Sequence, residues 1–420
     1  MNIHKNKMTI PFIRSIDFWV GVPLCFLLTF VDSVLRLFSS HKRHEDIPKK
    51  ILFIKPSEMG GIILSYPLFS RIQKEYPQAE MFFLTFKSNQ SLFEVLGVIP
   101  TENILTIRED LFLSGVVDTV RAIFKIRRIK VDVVFDLEFF SRVSALIAYL
   151  TGAAKRIGFD RYTLEGLYRG DLFTHKLLYN PHIHISQVFL SMSQVVGQDR
   201  KTTPELMRNF SDHEIVLPQF SPTKEEAEIM KNRLAELGID SRTKLFLMNP
   251  GEGRIPLREW PLDHFITLAR KLLEDQNHYM IMTGASDSAE KSTRLFHALD
   301  HKRCIDLIGK TTIRELLTLF HMADVLIAND SGLAHLASLT QIKQFILFGP
   351  ESPRVFSPLG ENIHVFYSNL PCSPCLSAYN HRRSDCTHNR CLKGISPEEV
   401  HSIILKKVPQ RSLFKNSLIP

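Results

Sequence analysis

Hydrophobic and polar residues follow each other along this chain in a repeating order. Short apolar runs, such as ILFIKP at residues 51–56 and DVLIAND at 324–330, are typical of buried parallel strands. Stretches with an apolar residue at every third or fourth position follow most of these runs and predict helices. The order repeats in two blocks, which begin near Ile51 and Lys244. This pattern predicts an α/β protein with two doubly wound domains.

The beginning of the chain has a different pattern. Residues 18–31 contain no charged side chain, and Asp17 and Asp32 bound this apolar run. A helix that spans a bilayer needs about 20 apolar residues, and a longer helix here would place Asp32 in hydrocarbon. Basic residues flank the run on both sides. We therefore expect a helix that lies in the membrane interface, while a buried helix of a larger core remains the alternative.

Length and charge narrow the classes of protein that fit. A chain of 420 residues is long for one domain and sufficient for two. The net charge of +8 favours an anionic partner, such as phosphates or an acidic membrane surface. No nucleic-acid-binding motif accompanies that charge in the sequence, so nucleic acid is not an expected partner.

The segment ADVLIANDSGLAHLA, at residues 323–337, carries the clearest chemical signal. A predicted strand ends at Asp330, the chain turns at Gly332, and a helix follows. The start of a helix presents unpaired backbone amides, which bind diphosphates well. The plainer interpretation makes Asp330 or Ser331 a helix cap and leaves His335 to packing.

The spacing D-S-G-x-x-H-L-A, followed by Phe348-Gly349, resembles glycosyltransferase family nine, the ADP-heptose:lipopolysaccharide heptosyltransferases. The resemblance extends over roughly residues 50–405. It implies a GT-B fold, in which two Rossmann-like doubly wound domains face each other across a cleft. It also assigns donor-binding roles: the diphosphate is held by Ser331, Gly332 and Leu333, the donor sugar by Asp330, and the pocket is supported by His335.

A second segment, MNPGEGRIPLREWP at 248–261, resembles the K/R-x-W-P region of the same family. Arg258 takes the cationic position. A cation is needed there because negative charge accumulates on the departing diphosphate, and a guanidinium binds such a group with two hydrogen bonds. A surface arginine beside a helix start is the plainer alternative. The resemblance adds Gly251, Glu290 and Thr311 as further donor-side residues.

The first-domain loop KPSEMGGIILSYP, at 55–67, departs from the family pattern. Relatives carry S-x-L-G-D here, and the aspartate is the expected catalytic base; Gly60 matches the glycine, but Gly61 occupies the aspartate position. Glu58 is the nearest replacement carboxylate and our candidate base. Asp136 or Glu138, or an inactive site, are the alternatives. The acceptor side is expected to include Gly60, Gly61, Glu138 and Arg142.

Four of the six cysteines cluster near the C-terminus, with two residues between Cys372 and Cys375 and four between Cys386 and Cys391. Paired thiolates at such spacing allow a structural zinc site. Reduced thiols and disulfides remain open alternatives. No cofactor is expected to be required for catalysis.

Together these features predict an inverting, metal-independent glycosyltransferase. Its partners would be a nucleotide-diphosphate sugar, such as ADP-heptose, a lipopolysaccharide-core or related glycolipid acceptor, and the cytoplasmic face of the bacterial inner membrane, which it would bind as a peripheral or monotopic protein. A nucleotide-sugar 2-epimerase and an inactive sugar-nucleotide-binding protein are the alternatives, and the sequence leaves the oligomeric state open.

The sequence divides into five predicted parts. These are a membrane-associated segment 1–48, an acceptor domain 49–208, a linker 209–242, a donor domain 243–395 with a cysteine-rich loop 372–391, and a C-terminal helix and tail 396–420.

Overall fold

The computed structural model describes residues 10–38, 47–160, 167–198, 210–240, 242–251, 253, 255–285, 289–299 and 301–408. The chain divides into two compact units. Unit 1 comprises Met1–Val216 together with Ser377–Arg382, and unit 2 comprises Leu217–Leu376 and Arg383–Pro420. The division after Val216 falls within the segment 209–242. Six residues of the cysteine-rich loop thus belong to unit 1.

Unit 1 is built on a six-stranded parallel sheet in the order β3-β2-β1-β4-β5-β6. Its strands are β1 Lys50–Ile54, β2 Glu80–Phe86, β3 Ile104–Ile107, β4 Val133–Asp136, β5 Lys155–Asp160 and β6 His175–Leu178. Its helices are α1 Ile10–Trp19, α2 Gly21–Phe38, α3 Met59–Leu64, α4 Tyr66–Glu75, α5 Leu92–Leu96, α6 Phe112–Ile129, α7 Arg142–Leu150 and α8 Ile185–Ser191. The strand order reverses between β1 and β4, and ligands of such sheets bind outside the carboxyl ends of the strands at that point.

Helices cover both faces of this sheet. Leu52 and Ile54 of β1 belong to a core cluster that also includes Cys25 of α2, Ala122 of α6 and Ala145 of α7. Phe53 points to the opposite face, where it stacks on a phenylalanine of β4 and meets another of α4 edge-on. Side chains alternate along a strand, so α2, α6 and α7 share one face of the sheet.

Unit 2 repeats the architecture in the strand order β12-β11-β10-β7-β8-β9, and all of its strand pairs are parallel. Its strands are β7 Lys244–Asn249, β8 His278–Met282, β9 Cys304–Asp306, β10 Val325–Asn329, β11 Lys343–Phe348 and β12 Ile363–Tyr367. Its helices are α9 Lys224–Glu236, α10 Leu262–Leu273, α11 Ala289–Leu299, α12 Ile313–Met322, α13 Gly332–Ala337, α14 Pro353–Phe356, α15 Arg390–Lys393 and α16 Pro397–Lys407. The prediction of two doubly wound α/β domains is confirmed.

Two local predictions differ from the structure. The segment 209–242, expected to be a linker, contains the 13-residue helix α9, which begins with a capping box at Thr223. The apolar periodicity of residues 62–76 predicts one helical stretch, which the structure divides at Ser65 into α3 and α4. Pro67 explains the division, because proline is accepted in the first turn of a helix and disrupts its interior.

The N-terminal apolar run forms two helices that pack against unit 1. Val20 separates α1 from α2, and Pro23 lies in the first turn of α2, where proline is tolerated. Within the described residues, one stretch, Arg14–Phe38, is long and apolar enough to cross a membrane by length and composition alone. Large apolar side chains of this stretch are exposed, among them Trp19, Phe26, Phe30, Leu37 and Phe38.

A buried ion pair joins α1 to α7. The Asp17 carboxylate accepts hydrogen bonds from the backbone N of Arg142 at 2.9 Å, from its guanidinium at 2.8 Å and from the backbone N of Val143 at 3.2 Å. A Cβ on Gly21 would lie 2.7 Å from the Arg142 Cβ, so glycine is needed for this close approach. The Arg142 guanidinium holds the N-terminal helices through Asp17, and its expected contribution to the acceptor side stays a prediction.

We predict that Asp17→Ala loosens α1 and α2 from unit 1. The substitution leaves the buried Arg142 without its counter-charge, which costs roughly 3 kcal/mol or more. Hydrogen–deuterium exchange should show amide protection in α2 falling by about 100-fold. Glu75→Ala is the control, since its ion pair with Arg71 is partly exposed and should leave α2 unchanged. Equal protection in Asp17→Ala and the unsubstituted protein would contradict this assignment.

Candidate active site

In unit 2 the strand order reverses between β10 and β7, and this position is the switch point of the sheet. Asn329, at the carboxyl end of β10, connects the loops that lie there. Its side-chain amide donates to the carbonyls of Pro250 at 3.0 Å and Gly251 at 3.3 Å, and its oxygen accepts from the backbone N of Trp260 at 3.0 Å. The Trp260 indole is fully buried and donates to the Ile395 carbonyl at 2.9 Å. These bonds fix the loop that carries Arg258. Asn329 was not predicted as a site residue, although a polar residue at a strand's carboxyl end was the available signal.

Arg258 lies between two buried carboxylates. Its Nε is 3.3 Å from an Asp330 carboxylate oxygen, and one of its terminal nitrogens is 2.8 Å from a Glu351 oxygen. The side chains of Arg258, Asp330 and Glu351 are 12%, 5% and 1% exposed. Their contacts hold the guanidinium beside the loops that follow β10 and β11. Glu351 was not predicted, and its position shortly after a strand end was the only signal.

The Ser331 hydroxyl lies at the start of α13 and does not cap that helix. Its Oγ is buried and lacks a hydrogen-bond partner among the residues that the structure describes. A buried hydroxyl without a hydrogen bond lowers the stability of the fold, unless a ligand supplies the missing partner. The alternative in which the Ser331 side chain caps the helix is therefore wrong. Gly332 and Leu333 form the first turn of α13, and His335 is buried in the same short helix.

Thr283 was also missed by the sequence analysis. It follows β8 at the same edge of the sheet, its side chain is fully buried, and its hydroxyl finds no hydrogen-bond partner within the described ranges. The hydroxyls of Ser331 and Thr283 both follow the carboxyl ends of parallel strands, the edge at which such sheets bind ligands.

The remaining donor-side predictions have different outcomes. The backbone N of Gly251 donates to the Asn249 side chain at 2.9 Å, so this amide is already paired within its loop, and the donor-side role of Gly251 stays a prediction. Thr311 is half-buried and lies in the loop between β9 and α12. Glu290 belongs to α11, but its side chain lies outside the described residues.

Glu138 organises the first loop of unit 1. One of its carboxylate oxygens is 3.1 Å from the Lys55 ammonium, and the other accepts from the Ser57 backbone N at 3.0 Å and hydroxyl at 2.7 Å. Lys55 is 1% exposed, so this ion pair is largely shielded from water. Both carboxylate oxygens of Glu138 are thus occupied in holding the loop.

Lys55 also explains the glycine at the position of the family's aspartate. A Cβ on Gly61 would lie 2.6 Å from the Lys55 Cε, so a side chain there would have to displace the lysine from its contacts. Gly60 is buried beside it in α3. In this chain, Gly61 thus leaves room for the Lys55 side chain that pairs with Glu138.

Glu58 differs from the other two candidate carboxylates. It has a positive φ of 50°, uncommon for a residue with a side chain, and it forms an ion pair with Arg382 of the same unit. Its side chain is 35% exposed. Asp136, by contrast, is fully buried against Arg169 and Ser144, and burial raises the pKa of its carboxyl despite the arginine. Asp136 is a structural group, and Glu58 is the accessible one.

Three of the four clustered cysteines, Cys375, Cys386 and Cys391, lie near enough to influence one another electrostatically. Burial raises the pKa of Cys391, and the neighbouring Cys375 and Cys386 raise it further. No disulfide joins any of the six cysteines, all of which are described. In the described part of the chain, no group of three or more His, Cys, Asp or Glu side chains is arranged to hold a metal ion. Structural zinc at Cys372, Cys375, Cys386 and Cys391 stays a prediction from spacing, and elemental analysis of the purified protein tests it.

Comparison with known proteins identifies the family to which this chain is similar. Residues 120–384 match the family model "Glycosyltransferase family 9 (heptosyltransferase)". Lipopolysaccharide heptosyltransferase 2 of Salmonella typhimurium is 23% identical over 363 residues, which cover 84% of this chain and 98% of that protein. The solved structure of the E. coli ADP-heptose lipopolysaccharide heptosyltransferase II is similar with a TM-score of 0.65 at 20% identity, covering 86% and 98%. E. coli heptosyltransferase WaaC with ADP gives a TM-score of 0.58 at 14% identity, covering 85% and 99%.

The fold is therefore that of the GT-B glycosyltransferases, as the sequence predicted. The family model matches more than half of the chain. The chain belongs to glycosyltransferase family 9, the heptosyltransferase family, and is a glycosyltransferase.

The burial of the thiols predicts their order of reaction. Burial raises the pKa of the Cys304 thiol to about 12, and Asp306 adds to this rise, so at pH 8 roughly one Cys304 in ten thousand is the reactive thiolate. Cys372 is exposed. Timed iodoacetamide labelling read by peptide mass spectrometry should modify Cys372 first and leave Cys304 intact until urea is added. Labelling of Cys304 as fast as Cys372 in the folded protein would contradict the structure.

Proposed function

We propose that this glycosyltransferase moves heptose from ADP-heptose to a lipopolysaccharide-core or related glycolipid acceptor. The names of its relatives support the donor and the acceptor class. The observation that carries the proposal is Arg258, a cation only 12% exposed that is held between Asp330 and Glu351 at the switch point of unit 2. Such a cation stabilises the charge of a departing diphosphate.

On the donor side, each residue has a distinct role. The Arg258 guanidinium binds diphosphate oxygens, and the Ser331 hydroxyl donates to the same group. The backbone amides of Gly332 and Leu333, in the first turn of α13, direct their partial positive charge towards the same diphosphate. Asp330 accepts from a hydroxyl of the donor sugar, and His335 supports this loop from within α13. Glu351 holds the direction of Arg258 through its contact at 2.8 Å.

The transfer is an inverting displacement without a metal. The acceptor hydroxyl oxygen attacks the anomeric carbon as the bond from that carbon to the diphosphate oxygen breaks. The electron pair of the broken bond stays on the leaving ADP, whose added charge Arg258 stabilises. The proton of the acceptor hydroxyl passes to a carboxylate base.

Glu58 is the base in this scheme. Both oxygens of Glu138 already accept hydrogen bonds from Lys55 and Ser57, and Asp136 is buried against Arg169. Glu58 is the most exposed of the three, and Arg382 holds its side chain at the start of α3.

The helices α1 and α2 would keep the enzyme at the cytoplasmic face of the inner membrane, where glycolipid acceptors are assembled. Their exposed aromatic side chains suit the interface between headgroups and acyl chains, and the ion pair of Asp17 with Arg142 holds α1 on unit 1. The binding is peripheral or monotopic, and the partners are the donor, the acceptor and the membrane surface.

We predict that the purified protein adds one heptose to a lipopolysaccharide-core acceptor, seen by mass spectrometry, and that Arg258→Gln lowers kcat by about 100-fold or more. Loss of the cation removes stabilisation from the leaving diphosphate. Arg242→Gln is the control, because Arg242 also pairs with an acidic residue but is 80% exposed. Isomerisation of the donor without transfer, or full activity of Arg258→Gln, would contradict the proposed function.

We predict that Glu58→Gln lowers kcat by about 10²–10⁴-fold while the KM for the donor changes little, because the amide cannot accept the proton. Steady-state kinetics with a soluble acceptor fragment measure both constants. Glu94→Gln, in α5 of the same unit, is the control. Full transfer by Glu58→Gln would remove Glu58 as the base and return the assignment to Glu138.

A further inference from the structure

Helix α6 has an exposed apolar stripe that the transfer chemistry does not use. Leu113, Val116, Val117, Val120 and Phe124 follow one another at helical spacing and are 75%, 43%, 43%, 46% and 64% exposed. The opposite side of α6 packs into the core of unit 1 through Ala122 and Ile126. Folding therefore accounts for the inner side of α6, and the outer stripe is a surface of the kind that marks an interaction site.

The stripe lies on the same face of the sheet as the N-terminal helices. The core cluster beneath α6 also contains Cys25 of α2 and residues of α7. Most of the large apolar side chains that are exposed in the described structure belong to these two regions, residues 18–38 and 111–124. One helical layer of unit 1 thus carries both exposed apolar regions.

The charges of α6 identify the partner. Its second half carries Arg121, Lys125, Arg127 and Arg128, and its one acidic residue, Asp118, is paired with Arg108. The end of α6 borders a groove of about 620 Å³ that is lined by Lys49, Arg127, Lys130 and Lys155. The Asp132 carboxylate in this groove already accepts from the backbone N of Lys49 and Lys50. Apolar side chains followed by cations suit the surface of an anionic bilayer.

We propose that α6 is a second membrane-binding element of this enzyme. Its apolar stripe enters the interface of an anionic phospholipid bilayer, and the cations at its end contact lipid phosphates. The proposal rests on the membrane contact proposed for α1 and α2, which it extends to a helix of the acceptor-side unit. A second copy of this chain is a poorer occupant, since it would bring like-charged basic ends together in a protein of net charge +8.

Vesicle flotation of the full-length protein tests the apolar stripe. The vesicles are phosphatidylcholine alone or phosphatidylcholine mixed with phosphatidylglycerol. Val117→Ser combined with Phe124→Ser should weaken binding to the mixed vesicles by about tenfold or more. The two substitutions remove apolar side chains whose burial in the bilayer stabilises the bound state. Ile229→Ser combined with Leu237→Ser, two exposed apolar residues of unit 2, is the matched control and should bind normally.

The cations are tested on the same vesicles. Lys125→Gln and Arg128→Gln should each weaken binding by about fivefold on the mixed vesicles, with little effect on phosphatidylcholine alone. Lys231→Gln on α9 is the control. Transfer to a soluble acceptor should be unchanged in every α6 variant, so a failure of the transfer chemistry is distinguished from a failure of this proposal.

Two outcomes would overturn the proposal. In the first, the α6 variants bind vesicles as the unsubstituted protein does, while Trp19→Ser combined with Phe38→Ser releases it, so that only α1 and α2 contact the membrane. In the second, the α6 variants change the sedimentation of the protein in the absence of lipid and leave vesicle binding intact, which would assign the stripe to a second copy of the chain.

Discussion

A guanidinium held between two buried carboxylates is the interaction on which the donor side of this protein depends. Arg258 is attached to a loop that the indole of Trp260 and the amide of Asn329 fix to the core, so its direction is set before any ligand arrives. Asp330 and Glu351 hold it in a site largely shielded from water. In the proposed function, a diphosphate that enters this site meets a cation that needs no reorganisation, which is the condition for strong electrostatic stabilisation of a leaving group.

The acceptor-side unit reaches a comparable fixed geometry by a different route. Its relatives place an aspartate where this chain has Gly61, and the buried Lys55 fills the space that such a side chain would need. Lys55 is held by Glu138 at 3.1 Å and by Ser57 of its own loop at 3.4 Å, so the side chain that occupies this space is fixed from two sides. Glu58, left at a positive φ and oriented by Arg382, is the carboxylate that remains accessible.

Sequence patterns predicted the elements well because both sheets are parallel and buried, so that their strands are apolar runs separated by amphipathic helices. They also singled out Arg258 and the segment from Asp330 to His335, and the structure brings Arg258 and Asp330 together, while the donor-binding roles stay a prediction. They missed Glu351 and Asn329, because the role of each depends on a contact with a residue far away in the chain, and they missed Thr283, whose burial only the folded sheet shows. The partner of Arg142, likewise, is Asp17, which nothing in the local sequence indicates.

The central claim is that Arg258 and its neighbours bind the phosphate adjacent to the bond that breaks. Isothermal titration calorimetry of the unsubstituted protein with ADP and with AMP tests it most directly, because the two ligands differ only in that terminal phosphate. If Arg258 binds this phosphate, ADP binds at least about tenfold more tightly than AMP, which is the contribution of one charge-assisted contact. Equal affinities for ADP and AMP would contradict it.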